Sequence, residues 1–206
     1  MLLKEIRSSL ILLLLMIGIC GFFYNFSLTK IAEYFFPKQA NGSLILSEDG
    51  KVLGSELLAI PFAKCNEKYF LPRPSLTNFN DPNPENNIIV GSASNLSQAN
   101  KELIELIVKR YNELKLLNPD TTPPLELLNA SASGLDPNLS KEAVIFQLPI
   151  VAKARNVKTE ELIDLIDKNM QKPLWGIFGS EMVNVVLLNR ALDKKIPIDS
   201  ECKIIK

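Results

Sequence analysis

Residues 8–28 carry no charged side chain: Ser-Ser-Leu-Ile-Leu-Leu-Leu-Leu-Met-Ile-Gly-Ile-Cys-Gly-Phe-Phe-Tyr-Asn-Phe-Ser-Leu. As a helix rising roughly 1.5 Å per residue, the stretch reaches about 30 Å, the thickness of a bilayer's hydrocarbon core. A cleaved signal peptide would have a shorter apolar region followed by a small-x-small site. Here the run continues through Phe22, Phe23, Tyr24 and Phe26, with no Ala-x-Ala-like site before Pro37. Ile19, in front of Cys20, is too large for a lipoprotein signal. The expectation is a retained single-pass anchor in the cell membrane, in contact with lipid. The divisions are a tail over 1–7, a transmembrane helix over 8–28, a juxtamembrane segment over 29–37 and a soluble domain over 38–206.

Lys4, Arg7 and the amino terminus make the leading tail cationic. The positive-inside tendency keeps such a tail in the cytoplasm and sends the long domain to the extracytoplasmic side. Seven aromatics between Phe22 and Phe36 suit either an interfacial belt or packing on neighbouring transmembrane helices.

The soluble part excludes several functions by what it lacks. Acids and bases balance almost evenly beyond Lys38, so there is no electrostatic footprint for nucleic acid. The chain has no histidine, which removes Ser-His-Asp and Cys-His catalysis and histidine metal sites. Cys20, Cys65 and Cys202 form no CxxC or metal spacing, so no metal site is expected. Cys65 and Cys202 are either a disulfide or two free thiols.

Local patterning predicts a mixed α+β domain that is helix-rich in its second half. Leu44–Leu46 and Val52–Leu58, joined through Asp49-Gly50, read as a β-hairpin. The Pro/Asn/Asp-rich stretch 72–91 reads as a long loop and a candidate contact surface. Helices are expected from Ser97 to Leu117, with Leu103, Ile104, Ile107, Tyr111 and Leu114 inward, and from Ser140 to Arg155, interrupted at Pro149. A further helix is capped at Thr159 with Leu162, Ile163, Ile166 and Met170 inward, and a last one covers 181–193. Leu125–Leu128 reads as a short strand.

Three clusters carry candidate chemistry. In Ser131-Ala132-Ser133-Gly134-Leu135-Asp136, a serine activated by Lys141 or Lys153 would make a Ser-Lys hydrolase dyad, whose base needs a pKa lowered by burial. The alternative is a tight turn in which Gly134 takes positive φ and the hydroxyls cap backbone groups. Gln147, Lys153 and Arg155 could meet an anion or a partner's carboxylates, or could form a solvated helix C-terminus. Arg73, between Pro72 and Pro74, is held in an extended segment that suits a fixed ion pair, internal or across an interface.

In order along the chain stand Phe36-Pro37-x-Gln39-Ala40-Asn41-Gly42-Ser43-Leu44, Gly54-Ser55, Tyr69-Phe70-x-x-Arg73-Pro74-Ser75 and Ser94-Asn95-Leu96. Ser131-Ala132-Ser133-Gly134-Leu135-Asp136-Pro137, Gln147-x-Pro149-x-Val151-Ala152-Lys153-Ala154-Arg155 and Val183-Asn184-Val185-x-x-Leu188-Asn189-x-Ala191-Leu192-Asp193 follow. The ordered set resembles the C subunit of the Kdp-type potassium-transporting ATPase, the KdpC family, from the anchor to about Asp193.

That resemblance implies a non-catalytic accessory subunit of a high-affinity, ATP-driven potassium importer. Its partners would be a channel-like potassium-translocating subunit and a P-type ATPase subunit. It also implies a role in raising the ATPase subunit's affinity for ATP, with Gln147, Lys153 and Arg155 as the motif involved, ATP entering only through the ATPase subunit and no cofactor expected on this chain. Asn41, Arg73, Ser131, Ser133 and Asp136 are the expected partner-facing residues. A membrane-anchored Ser-Lys hydrolase and a free-standing anchored binding or sensor domain are the competing readings.

Overall fold

A computed structural model describes residues 2–47, 49–59, 66–77 and 91–196. The chain divides into two compact units, Met1–Ser55 and Glu56–Lys206.

The first unit begins with a continuous helical run: α1 (Leu2–Met16), a π-helical stretch (Ile17–Phe23) and α2 (Tyr24–Phe35). The helix Leu3–Phe35 spans 33 residues and holds an 18-residue stretch with a mean hydropathy of 2.2, none of it buried against the chain. The helix is therefore long enough to cross a membrane, and it runs past the uncharged stretch on both sides. At about 50 Å it exceeds the roughly 30 Å of hydrocarbon core. Asn25 returns its amide N–H to the Gly21 carbonyl at 3.0 Å, the internal pairing a polar side chain needs among apolar neighbours. Phe36 and Pro37 break the run, and a single turn, α3 (Pro37–Ala40), leads into the hairpin. The expected hairpin forms as β1 (Leu44–Leu46) against β2 (Val52–Ser55), antiparallel with an irregularity after Ile45. It is shorter than the sequence suggests, because the chain leaves the strand at Glu56.

The second unit is mixed helix and strand, built around α6 (Lys141–Arg155). After the 3₁₀ turn Asn66–Lys68 come α4 (Lys101–Leu117), α5 (Leu125–Leu128), β3 (Asn138–Ser140), α6, α7 (Thr159–Lys168), β4 (Met170–Gln171), β5 (Met182–Asn184) and α8 (Val185–Lys195). The strands form one small antiparallel sheet in the order β3-β5-β4, with Val183 opposite both Leu139 and Met170. Val144 and Val151 of α6, Leu162 and Ile166 of α7, and Leu188 and Leu192 of α8 meet Phe70, Leu139 and Val183 in one core. Ser140 caps α6 by accepting from the Ala143 N–H at 3.2 Å, while Asn156, left-handed at φ 53°, ends it.

Several local expectations give way. Leu125–Leu128 is a helical turn started by Pro124 rather than a strand, which brings consecutive Leu127 and Leu128 inside together. Helix α6 passes through Pro149 unbroken, with that proline on its exposed side. Helix α4 starts after Asn100, whose side chain accepts from the Glu102 N–H at 2.8 Å, three residues later than expected. It has no buried residue, and Ile104, expected inward, is half exposed. In α7, Ile163 faces out and Leu165 takes its place inside. Residues 182–184 pair as the central strand instead of opening the last helix, because Val183 fits between β3 and β4. Asn184 then caps α8, accepting from Val186 and Leu187. Cys65, Cys202 and residues 78–90 of the expected contact loop lie outside the described residues.

Candidate partner interface

Three of the sequence-derived candidates, Ser131, Ser133 and Asp136, lie on the loop between α5 and β3, and a fourth, Arg73, packs against it. The Ser131 N–H donates to the Pro74 carbonyl at 3.0 Å and the Gly134 N–H to the Ser131 carbonyl at 3.3 Å. Ser133 Oγ accepts from the Leu135 N–H at 3.1 Å, and Asp136 Oδ1 accepts from the Asn138 N–H at 3.0 Å. Both are short-range turns of the type serine and aspartate favour. The Ala59 N–H donates to the Leu135 carbonyl and the Val185 N–H to the Pro137 carbonyl, tying the loop to both sides of the domain.

Glycines set how closely this loop can pack. Gly134 has φ +71°, and a Cβ there would run into Thr77 Oγ1, with Ser92 O at 2.8 Å and Ser75 Oγ at 2.9 Å. A Cβ on Gly91 would collide with the Ser133 carbonyl. The loop is thus clamped between two neighbouring segments by backbone proximity.

Arg73 lies against the same loop. Its Nη2 donates to the Ala130 carbonyl at 3.3 Å, and its Nη1 stands 3.8 Å from Asp136 Oδ2, with both side chains about a quarter to a third exposed. Its Nε is buried without a hydrogen-bond partner among the described residues. A guanidinium presents five N–H donors, so this one is far from saturated. Beside it, Leu57, Leu58, Ala132, Ser133, Leu135, Asp136 and Pro137 line an open groove of about 420 Å³. Leu57 and Leu58 are about half exposed there. A partly unsatisfied arginine paired with Asp136, which itself lines a groove with exposed leucines, has the make-up of a protein-contact surface. Sequence reading had marked Arg73 and the serines, but it gave no sign of Leu57, Leu58 or the Gly91 contact. Those depend on chain segments meeting far apart in sequence.

The hydrolase geometry is not assembled. Ser131 is buried, and its Oγ lies 3.5 Å from Ser133 Oγ. Lys141 Nζ is 2.8 Å from Asp167 Oδ1, and the hydrogen bond to that carboxylate raises the lysine's pKa, away from what a general base needs. Lys153 is exposed on α6.

Gln147 and Arg155 face inward from the same helix. Gln147 Oε1 accepts from the Leu71 N–H at 2.7 Å, and its Nε2 donates to the Leu71 carbonyl at 3.1 Å. Asn189 of α8 repeats the pattern on the preceding residue, accepting from the Phe70 N–H at 2.9 Å and donating to the Phe70 carbonyl at 2.8 Å. Two side-chain amides thus stand in for a neighbouring strand along 70–71. The crevice beside Gln147 holds about 50 Å³. Ligand pockets run to roughly 300–1,000 Å³. Arg155, expected at a solvated helix end, is instead removed from solvent. It donates to the Lys68 carbonyl at 2.6 Å, the Ile196 carbonyl at 2.8 Å and Asp193 Oδ1 at 2.7 Å, with its guanidinium 4.7 Å from the Tyr69 ring centroid. Asn189 and Asp193 entered the sequence reading only as motif positions; apolar neighbours on one helix face were the available signal for Asn189.

Asn41 belongs to the other unit, where its Nδ2 donates to the Pro37 carbonyl at 2.7 Å and closes α3.

The sequence model of the family described as "K+-transporting ATPase, c chain" matches residues 6–194. A potassium-transporting ATPase KdpC subunit from Rhodopseudomonas palustris (strain BisB18) is 42% identical over 198 residues, 93% of this chain and 98% of the relative. Proteins of the same description from Bradyrhizobium diazoefficiens and Escherichia coli O9:H4 (strain HS) are 43% and 44% identical. Each of these alignments covers 93% of this chain, with 98% and 97% of the respective relative.

Proposed function

Because the chain belongs to the KdpC family and is thereby a component of a potassium-transporting ATPase complex, we propose that it acts there as a non-catalytic accessory subunit. The observation that carries this reading is the match over residues 6–194, which takes in the apolar helix and the clamped 129–137 loop together. The helix Leu3–Phe35 anchors the chain beside a channel-like potassium-translocating subunit, with the short cationic tail in the cytoplasm and the second unit outside. Arg73, Ser133, Asp136 and the Leu57–Leu58 groove form the face that meets the complex.

An extracytoplasmic domain cannot touch a cytosolic nucleotide. Its effect on the ATP affinity of a P-type ATPase subunit therefore travels as coupling through the membrane-embedded partners. The bonding of Gln147 and Arg155 supports this: both are spent on residues 68–71 and on α8. They shape the domain rather than a ligand pocket.

The test is a mild-detergent pull-down through a tag after Lys206, followed by an ATPase assay on the eluate. Co-purification of two further membrane subunits with potassium-stimulated ATP hydrolysis is the expected result. A lone chain without ATPase would overturn the proposal.

A further inference from the structure

The connection between β4 and β5 ends in a turn that presents four apolar side chains to solvent: Leu174, Trp175, Ile177 and Phe178, each more than 60% exposed. Trp175 and Gly176 both take positive φ, 55° and 75°. That is the geometry of a tight hairpin turn, which small residues usually fill, and a bulky tryptophan in the left-handed region is an outlier. Trp175 sits at the tip, where its ring packs edge-on to Phe178 at 6.2 Å. Among the described residues, none of these four side chains belongs to the core.

Four of the five backbone N–H groups of residues 174–178, all but that of Trp175, are paired within the tip. The Leu174 N–H donates to the Phe178 carbonyl at 2.8 Å, and the Phe178 N–H returns to the Leu174 carbonyl at 3.0 Å. The Gly176 N–H donates to Pro173 O at 3.0 Å and the Ile177 N–H to Leu174 O at 3.2 Å. A surface awaiting a protein gains from free donors, whereas one entering lipid must satisfy its donors internally. Residues 173–180 carry no charge, and the exposed Lys172 just before them is placed to meet anionic headgroups, with Glu181 on the far flank. Aromatic side chains over a neutral apolar tip match the interfacial layer of a bilayer.

We propose that residues 174–178 insert into the interfacial layer of the bilayer that holds the N-terminal helix, giving the second unit a shallow lipid contact of its own. The proposal rests on the reading of Leu3–Phe35 as a span.

Trp175 is the single tryptophan of the chain and reports on itself. The full chain is reconstituted into phosphatidylcholine–phosphatidylglycerol vesicles, and its emission is read with brominated acyl chains and with aqueous iodide. The expected result is a blue-shifted emission, protected from iodide and quenched most by bromines near the headgroup, as for a ring roughly 5–10 Å into the headgroup–acyl boundary. Ile177→Glu, at an exposed position that leaves the core untouched, should lose the bromine quenching while the chain still floats with the vesicles. Iodide-accessible emission without bromine quenching in the wild-type chain would overturn the proposal. So would protection that appears only when the other transporter subunits are co-reconstituted, which marks a protein contact. Loss of the whole chain from the vesicle fraction would overturn the span itself, and this contact with it.

Discussion

Gln147 meets Leu71 as a strand would, accepting from its N–H at 2.7 Å and donating to its carbonyl at 3.1 Å. Asn189 does the same to Phe70 from a second helix. Among the described residues the segment leading to Arg73 pairs with no strand, so these two amides fix its position. In this geometry Gln147 holds the segment that leads into Arg73, the residue proposed to face the complex.

Gln147→Leu should therefore destabilise the domain by about 2–4 kcal/mol, since it orphans both the donor and the acceptor of Leu71 in a largely dry site. Gln147→Glu keeps an acceptor for the N–H but sets a second oxygen against the carbonyl. Burial raises the pKa of the introduced carboxyl above its unfolded value, so its protonated form is favoured in the fold. Stability is then greatest below the unfolded pKa and falls as pH rises through the folded one. Thermal unfolding of the full chain in detergent, followed by circular dichroism at pH 5 and pH 7.5, should show a larger deficit at the higher pH. In complexes that still assemble, the KM for ATP should stay near wild type for Gln147→Leu; a large rise would point to direct nucleotide contact.

Arg155 ties three elements together through Lys68, Ile196 and Asp193. Removing one partner of a buried pair leaves an uncompensated group, at a cost of about 3–5 kcal/mol. Arg155→Met should unfold the second unit or shift its midpoint sharply. Asp193→Asn should cost less, because that side chain is one-fifth exposed and its amide oxygen can still accept. Lys153→Ala, on the exposed side of the same helix, should change stability by no more than about 0.5 kcal/mol. Chemical denaturation of the three variants in one detergent checks the order.

The apolar anchor, the hairpin and most helices were legible because each is encoded locally, by a continuous run or a 3.6-residue period. The sheet was not: β3, β4 and β5 are two or three residues long, too short to show alternation, and they form because Val183 fits between Leu139 and Met170. Among candidate residues, Arg73, Ser131, Ser133 and Asp136 could be marked by type and neighbours. Ser131, expected to face a partner, is buried; that Arg73, Ser133 and Asp136 share one surface depends on the Ser131–Pro74 hydrogen bond and on the Gly134 contacts with Ser75, Thr77 and Ser92, which no local pattern announces. Arg155 was misjudged for the same reason: its three acceptors come from remote segments.

Gly134→Ala tests the clamped loop. The substitution meets a left-handed backbone and three oxygen atoms closer than real Cβ contacts allow, so a loss of at least about 1–3 kcal/mol is expected. Gly91→Ala should behave alike, because the obstacle is the Ser133 backbone rather than a flexible side chain. Gly54→Ala, with nothing within 4 Å, serves as the tolerated comparison. Differential scanning fluorimetry of the purified chain separates the two classes.

Arg73 separates folding from association. Its internal contacts are weak, a 3.3 Å hydrogen bond and a 3.8 Å ion pair that solvent partly screens, so Arg73→Ala should cost the isolated chain only about 0–1 kcal/mol. If the unsatisfied guanidinium docks a partner's carboxylate or carbonyl, its loss should weaken the complex by at least about 2 kcal/mol, the mark of a hot spot. That is roughly a thirtyfold loss of affinity. Arg73→Lys should fail to restore it, since a point charge cannot replace a planar fork. The measurement pairs thermal unfolding of the chain with the yield of tagged complex and its potassium-stimulated ATPase. A stable variant that still recovers full complex would remove Arg73 from the interface. A variant that unfolds alone would make its role internal, with Asp136 and Ala130 as its true partners.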